Sequence, residues 1–173
     1  MSKTHKKASE SEVIMTEMVL PNDTNTLNNM MGGRLLHLMD IAAGVAAQRH
    51  SNKLVVTASV DNVSFREPIR LGNVITLKAK VTRSFNSSME VFILVTTEDI
   101  PNKKKTVSNS AFYTFVAVDE KGKPFIVPEL IPETDKEKEL YEDALMRRQL
   151  RLVLANRMKP EDALELRSIF VKD

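Results

Sequence analysis

Residues 32–48 read "GGRLLHLMDIAAGVAAQ", and the rest of the chain is organised around them. Leu, Met, Ile, Ala and Val recur on every side of the helical projection, the pattern of a helix enclosed by other structure. Two glycines open the segment and a carboxylate, Asp40, sits near its middle. Such a group is costly inside an apolar helix unless something pairs with it or uses it.

Upstream, "EVIMTEMVL" (12–20) is short, β-branched and Met-rich, and Pro21 closes it, so it reads as a strand. "PNDTN" clusters Pro, Asn and Asp as turns do. Downstream, "KLVVTASVDNVSFREP" (53–68) reads as a strand ending before Pro68. In "GNVITLKAKVTRSF", Ile75, Leu77, Ala79 and Val81 alternate with Val74, Thr76, Lys78, Lys80 and Thr82, a period of two. "NSS" turns the chain back into "MEVFILVTTED", and after the loop "IPNKKK" comes a last strand, "TVSNSAFYTFVAVD". The order is strand, buried helix, then four strands in antiparallel succession. This is an α+β layout in which a curved sheet wraps one helix. A single sheet covers part of such a helix, so the remainder is expected to pack on a partner subunit.

The tail changes character. "IPETDKEKELYEDALMRRQLRLVL" opens with a capping box, Thr134 as N-cap and Glu137 three residues on, and Leu140, Tyr141, Ala144, Leu145 and Leu152 form one apolar stripe. A second helix is expected from Pro160. The predicted organisation is a disordered N-terminal tail over 1–11, a strand-rich domain over 12–130 and a helical extension over 131–173.

Composition narrows the chemistry. The chain has 173 residues, net charge +2, no Cys and three His. The balance gives no electrostatic footprint for nucleic acid or an anionic membrane. Absence of Cys excludes disulfides, thiolate metal sites and a cysteine nucleophile, and three His make a histidine-rich metal site an unfavoured reading. "MSKTHKKASESE" has no apolar run behind it and does not read as a signal peptide. No segment approaches the ~20 apolar residues of a membrane span. A soluble, cytoplasmic protein is expected, with its chemistry in Asp, Glu, Asn, Ser, Thr or backbone.

Three stretches carry a resemblance: "PNDTNTLNNMMGGRLLHLMDIAAGVAAQRH", "VTASVDNVSFREPIRLGNVITLKAKVTRSFNSSMEV" and "SNSAFYTFVAVD", together spanning residues 21 to 119. They resemble the acyl-CoA thioesterases of the hotdog-fold superfamily, both the bacterial short-chain hydrolases and the animal cytosolic enzymes. The first is similar to a family pattern P-x-D-x-N-x-x-G-x-x-x-G-G-x-x-L-x-x-M-D. It departs at Asn28, where the family has glycine; Asn tolerates a left-handed backbone best after Gly, so the turn can survive. "MRRQLRL" is similar to an arginine-rich helix that follows the first such domain in the animal enzymes.

The resemblance implies a hotdog fold, hydrolysis of an acyl-CoA thioester to free acid and CoA, and no cofactor beyond the CoA of the substrate. It implies catalytic roles for Asp40, Asn25 and Gly33. A helix N-terminus presents unpaired N–H groups and about half a positive charge, so Gly33 could polarise a thioester carbonyl, with Gly32 leaving the approach clear. Asp40 would act as general base on water or attack the thioester itself, and Asn25 would orient water or carbonyl. Gly33 and Asp40 are seven residues apart, or ~10.5 Å along one helix, too far to touch one carbonyl. Two helices set antiparallel about a two-fold axis would bring Asp40 of one copy to Gly33 and Asn25 of the other. Dimers, and by the resemblance a trimer of dimers, are therefore expected. For CoA, Ala58, Ser59 and Val60 match the family's contacts for the pantetheine arm. Ser87, Ser88 and Met89 in the hairpin turn suit phosphate or adenine, and Arg147 and Arg148 could reach the phosphates.

Each assignment has a plainer alternative. Gly-Gly can serve a tight turn, Asp40 can be a buried structural carboxylate, and "PNDTN" can be an ordinary turn. His37, three residues before Asp40, is a rival base that the family pattern does not use. At the level of function the alternatives are a non-catalytic acyl-CoA-binding protein with a silent Asp40, and an enoyl-thioester hydratase, which lacks a His at a motif position here.

Overall fold

The computed structural model describes residues 4–168, and the chain divides into two compact units, 1–131 and 132–173. In the first, β1 (His5–Lys7) and a 3-10 turn (Ala8–Ser11) precede β2 (Val13–Met18), and a loop leads to α1 (Gly32–Ser51). Then come β3 (Leu54–Phe65), β4 (Val74–Ser84), β5 (Ser88–Asp99), β6 (Lys104–Val118) and β7 (Glu129–Ile131). The alternating face of β4 behaves as its pattern requires: Ile75, Leu77, Ala79 and Val81 are at most 1% exposed. Val91, Ile93 and Val95 of β5, and Ala111, Tyr113, Phe115 and Ala117 of β6, continue the buried surface under α1. Onto it α1 lays Leu35, Leu38, Met39, Ala42, Ala43, Ala46 and Ala47. Truncating one of its larger members to Ala should cost about 2–5 kcal/mol. The opposite side of α1 is bare in the single chain: Gly33 and His37 are exposed, and Ile41 and Val45 are 43% and 39% exposed.

Two expectations need correction. The sheet order is β2-β4-β5-β6-β3, so β3 does not follow β4 in the ladder but pairs antiparallel with β6 at the far edge. The reason lies in the connection over 66–73, which is too long for a tight hairpin turn. It runs beneath the start of α1, where Ile69 and Asn28 carbonyls accept from Met30 and Leu71 N–H groups. Residues 5–11 are also not a disordered tail. β1 pairs in parallel with β7, and Ala8 and Ser11 are buried. Ser11 Oγ accepts from Val81 N at 3.0 Å, beyond the point where β2 stops pairing with β4. Polar composition hid a segment whose polar atoms complete the sheet edge.

In the second unit α2 (Asp135–Leu154) carries the expected box: Glu137 N donates to Thr134 Oγ1 at 3.2 Å, and Thr134 N to Glu137 Oε2 at 3.0 Å. The helix expected from Pro160 is reduced to a 3-10 turn (Pro160–Asp162) and a short α3 (Leu164–Arg167), because Ala163 at φ −89°, ψ 70° leaves helical space.

Candidate active site

The loop before α1 is wound on its own asparagines. Asn25 Oδ1 accepts from Leu27 N and Asn29 N at 2.9 and 3.2 Å, and Asn28 stands at φ 56° in the left-handed region, the conformation its place in the motif requires. Asn25 is thus a turn former through its oxygen, while its exposed Nδ2 meets no acceptor among the described residues. Asp23 staples this loop to the helix. Its carboxylate accepts from Leu20 N at 3.0 Å and Arg34 Nε at 2.8 Å, and its carbonyl accepts from Met31 N at 2.8 Å. The Leu20 N–H, and then the Arg34 guanidinium, hold the Asp23 carboxyl below the usual range.

What this frame presents is an uncapped helix start. Met31, the N-cap residue, makes no side-chain cap hydrogen bond. A Cβ added at Gly33 would meet nothing within 4 Å, so a ligand can approach the first-turn N–H groups. Gly32 is closer in: a Cβ there would stand 3.3 Å from the Phe65 ring.

Asp40 lies half-buried on the uncovered side of the same continuous helix, with Oδ1 accepting from Thr57 Oγ1 of β3 at 2.9 Å. Neither a cation nor a backbone N–H bonds it among the described residues. Beneath it, Tyr113 is buried and its hydroxyl donates to Leu36 O at 3.3 Å. Burial, then the Asp40 charge, push the phenol up to about 12, so it remains a neutral donor. His37 is exposed and does not bond to Asp40.

The remaining sequence-predicted residues divide. Ala58, Ser59 and Val60 lie on β3, the free edge of the sheet, where a register shift between Thr57 and Ser59 leaves Ala58 outside the ladder. Ser59 Oγ donates to Asp61 Oδ2 at 3.2 Å. Ser87 and Ser88 lie at the β4–β5 turn, half-buried, and the Ser87 carbonyl already accepts from Ala117 N. Met89 is fully buried, so its side chain is core and not a ligand contact; register sets it across Phe115 from Thr57, two strands or about 10 Å away. Arg148 and Arg147 lie on α2 in the second unit, where Arg147 Nη2 turns back to Leu140 O at 2.7 Å. Among the described residues no cluster of His, Cys, Asp or Glu could hold a metal, and no helix is long and apolar enough to cross a membrane.

Thr57 and Tyr113 were missed by the sequence reading. Neither has a local signal: Thr57 meets Asp40 only once the next strand folds back along α1, 17 residues on, and Tyr113 meets α1 from a strand 77 residues beyond Leu36.

Comparison with known proteins places this geometry. The family described as "Thioesterase superfamily" matches residues 27–103. The chain is 41% identical over 138 residues to the uncharacterized acyl-CoA thioester hydrolase YkhA of Bacillus subtilis (strain 168), covering 80% of each. An apo-hexameric acyl-CoA thioesterase superposes with TM-score 0.86 at 39% identity, over 88% of this chain and 97% of that one. The acyl-CoA hydrolase of Staphylococcus aureus, solved with butyryl coenzyme A, coenzyme A and coenzyme A disulfide, gives TM-score 0.82 at 36% identity, over 95% and 99%. With an antiparallel sheet wrapped on one central helix and these relatives, the chain belongs to the hotdog-fold acyl-CoA thioesterases of the thioesterase superfamily.

Proposed function

We propose that the protein hydrolyses acyl-CoA thioesters at a composite site formed by two copies of the chain. Water adds to the thioester carbonyl, the C–S bond breaks, and the products are a carboxylic acid and the CoA thiol. Asp40 of one copy takes the proton from water and passes it to the departing sulfur. In the alternative route it adds to the carbonyl itself, CoA leaves as the thiolate and takes up a proton from solvent, and water then splits the resulting anhydride to release the acid and restore Asp40. The first-turn N–H groups at Gly33 of the other copy hold the developing oxyanion, a contribution on the order of 3–4 kcal/mol for one good donor. Asn25, with its Nδ2 uncommitted, orients the carbonyl or water. Thr57 is a positioning residue: its hydroxyl fixes one carboxylate oxygen of Asp40 and leaves the other for the proton.

The observation that carries this reading is Asp40, a half-buried carboxylate whose one hydrogen-bond partner among the described residues is a hydroxyl, on the uncovered face of a helix whose N-terminus is bare. Two such groups ~10.5 Å apart along one helix converge only if a second helix runs antiparallel. Support for the pairing comes from β3, a free edge strand with Val56, Val60 and Phe65 51%, 41% and 57% exposed. Long apolar edges of this kind invite another strand. The hexameric relative supports a further assembly into a trimer of dimers.

The test is thiol release from a panel of acyl-CoAs by wild type and Asp40→Asn. The expected loss is at least ~100-fold, the low end of general-base catalysis, with elution volume and melting temperature preserved. Turnover that survives the substitution removes Asp40 from the chemistry. A panel on which wild type releases no thiol leaves a binding protein instead.

A further inference from the structure

Tyr113 of β6 stands in the inward row Ala111, Tyr113, Phe115, Ala117 and is the bulkiest fully buried side chain among the described residues. A buried phenol hydroxyl needs an acceptor. The one it finds is Leu36 O, at 3.3 Å. In the continuous helix α1 this same oxygen accepts the N–H of Asp40, one turn on, and a carbonyl has two lone pairs for two donors. The strand thus grips the carbonyl whose hydrogen bond fixes the backbone of Asp40.

The next inward ring bears on the helix from the other side of Asp40. Phe115 stacks with Tyr113, ring centroids 6.2 Å apart and planes 15° off parallel, and a Cβ added at Gly44 would stand 3.6 Å from it. Leu36, Asp40 and Gly44 follow one another at four-residue spacing along one row of the helix. The two rings therefore meet α1 one turn before Asp40 and one turn after it. Phe115 is also the register partner of Thr57, whose hydroxyl donates to Asp40 Oδ1 at 2.9 Å. Asp40 is held twice from adjacent strands, at its backbone from β6 and at its carboxylate from β3. The bond from Thr57 aims the free carboxylate oxygen only if the helix turn keeps its height over the sheet, and that height is what Tyr113 sets.

We propose that Tyr113 is a positioning residue for the hydrolysis, its hydroxyl holding the Leu36–Asp40 turn of α1 on the sheet and so setting where the Asp40 carboxylate stands. The inference rests on the hydrolase reading above and adds to it a group that touches neither water nor thioester. Burial, then the Asp40 charge, push the phenol up to about 12, so it stays a donor throughout the neutral range. A misplaced catalytic group costs rate, which separates this role from that of a hydroxyl that only supports the fold.

The experiment is a double-mutant cycle on thiol release from the best acyl-CoA of the panel. It combines Tyr113→Phe, which keeps the ring and removes the hydroxyl, with Thr57→Val. Tyr113→Phe alone should lower kcat about fivefold, the worth of one net hydrogen bond, and leave KM unchanged. In the Thr57→Val background the carboxylate is already loose, so the same change should cost less, and the pair should fall short of the product of the two single effects. A wild-type kcat in Tyr113→Phe overturns the proposal. So does a fall that multiplies fully with that of Thr57→Val, the mark of a hydroxyl acting independently of Asp40, and so does a KM effect with kcat unchanged. Tyr113→Met, which also lacks the hydroxyl, poses the same question if the Phe variant does not fold. Full-rate thiol release by Tyr113→Phe sinks this inference alone, whereas no release by wild type from any thioester sinks the hydrolase reading and this inference with it.

Discussion

At its C-terminal end α1 is tied down from several directions. Asn52 turns left-handed at φ 52°, its N–H donates to Gln48 O, and Lys6 Nζ reaches Arg49 O at 2.6 Å and Asn52 Oδ1 at 3.2 Å. His50, fully buried, bonds the Pro128 carbonyl through Nε2 at 2.9 Å, and Arg49 donates to the Glu12 carbonyl. At the N-terminal end of the same helix Met31 gives no side-chain cap, Gly33 faces open space, and Asn109 Oδ1 lacks a donor. The contrast teaches where the fold spends its polar groups. One end of the helix spends most of them on holding the molecule together, though His50 Nδ1 is buried there without a partner, and the other leaves its first turn open to approach.

If this division holds, changes at the tied end should alter stability and spare turnover, and changes at the open end should do the reverse. The largest stability effect is expected from His50→Ala, about 2–4 kcal/mol of destabilisation from the cavity and the lost hydrogen bond, read as a lower denaturant midpoint with kcat unchanged. Thr57→Val, which frees Asp40 from its hydroxyl donor, should lower kcat by roughly tenfold or more, the worth of a hydrogen bond to a charged group; thermal melts should shift little. A Thr57→Val enzyme of wild-type rate would remove Thr57 from the positioning role.

Acidification offers a milder probe. Burial, together with the Lys6 charge, holds the His50 imidazole below its ordinary 6.5, against the pull of the Pro128 carbonyl and Glu10. Below that value the unfolded chain binds the proton that the folded one refuses, so stability should fall as pH drops from about 6.5 toward the folded-state value. The slope should not exceed about 1.4 kcal/mol per pH unit for one group. Glu12 and Asp23, both depressed, contribute stability that is lost only lower, as pH falls through their own folded-state values. Urea melts across pH 5–7 in wild type and His50→Gln separate the two windows, and identical profiles would deny His50 its part. Smallest in stability is Gly33→Ala, which should gain up to about 0.5 kcal/mol in helix propensity, because its methyl meets no neighbour. Its turnover should nevertheless drop, since the methyl stands where the carbonyl approaches; a more stable and equally active variant would show that the helix start is not the oxyanion site.

Much of this architecture was legible in local patterns. The all-round apolar content of α1, the alternation in β4, the Thr134–Glu137 box and the left-handed Asn28 are each written within a few residues, and local physics is enough to read them. The position of β3 was not, because pairing with β6 rather than β4 depends on a crossover whose path is set by contacts with the loop before α1. The partners of Asp40 were hidden for the same reason: Thr57 and Tyr113 are ordinary strand residues until the helix is laid on them. Met89 was read as part of the turn, but the turn at 85–87 gives way to β5 at Ser88, and Met89 is already an inward-facing strand residue. Asn109 could have been noticed as the polar member of an apolar alternating row. Ser11 offered no such clue, being one Ser in a polar run.

The parallel pairing of β1 with β7 has a wider bearing. It brings the entry and the exit of the first unit side by side, with the second unit starting at the very next residue after β7. A module whose two ends meet in this way can be copied in tandem or spliced into the loop of a larger polypeptide without stretching its sheet. The strand that seals the module is therefore also what would make it transplantable.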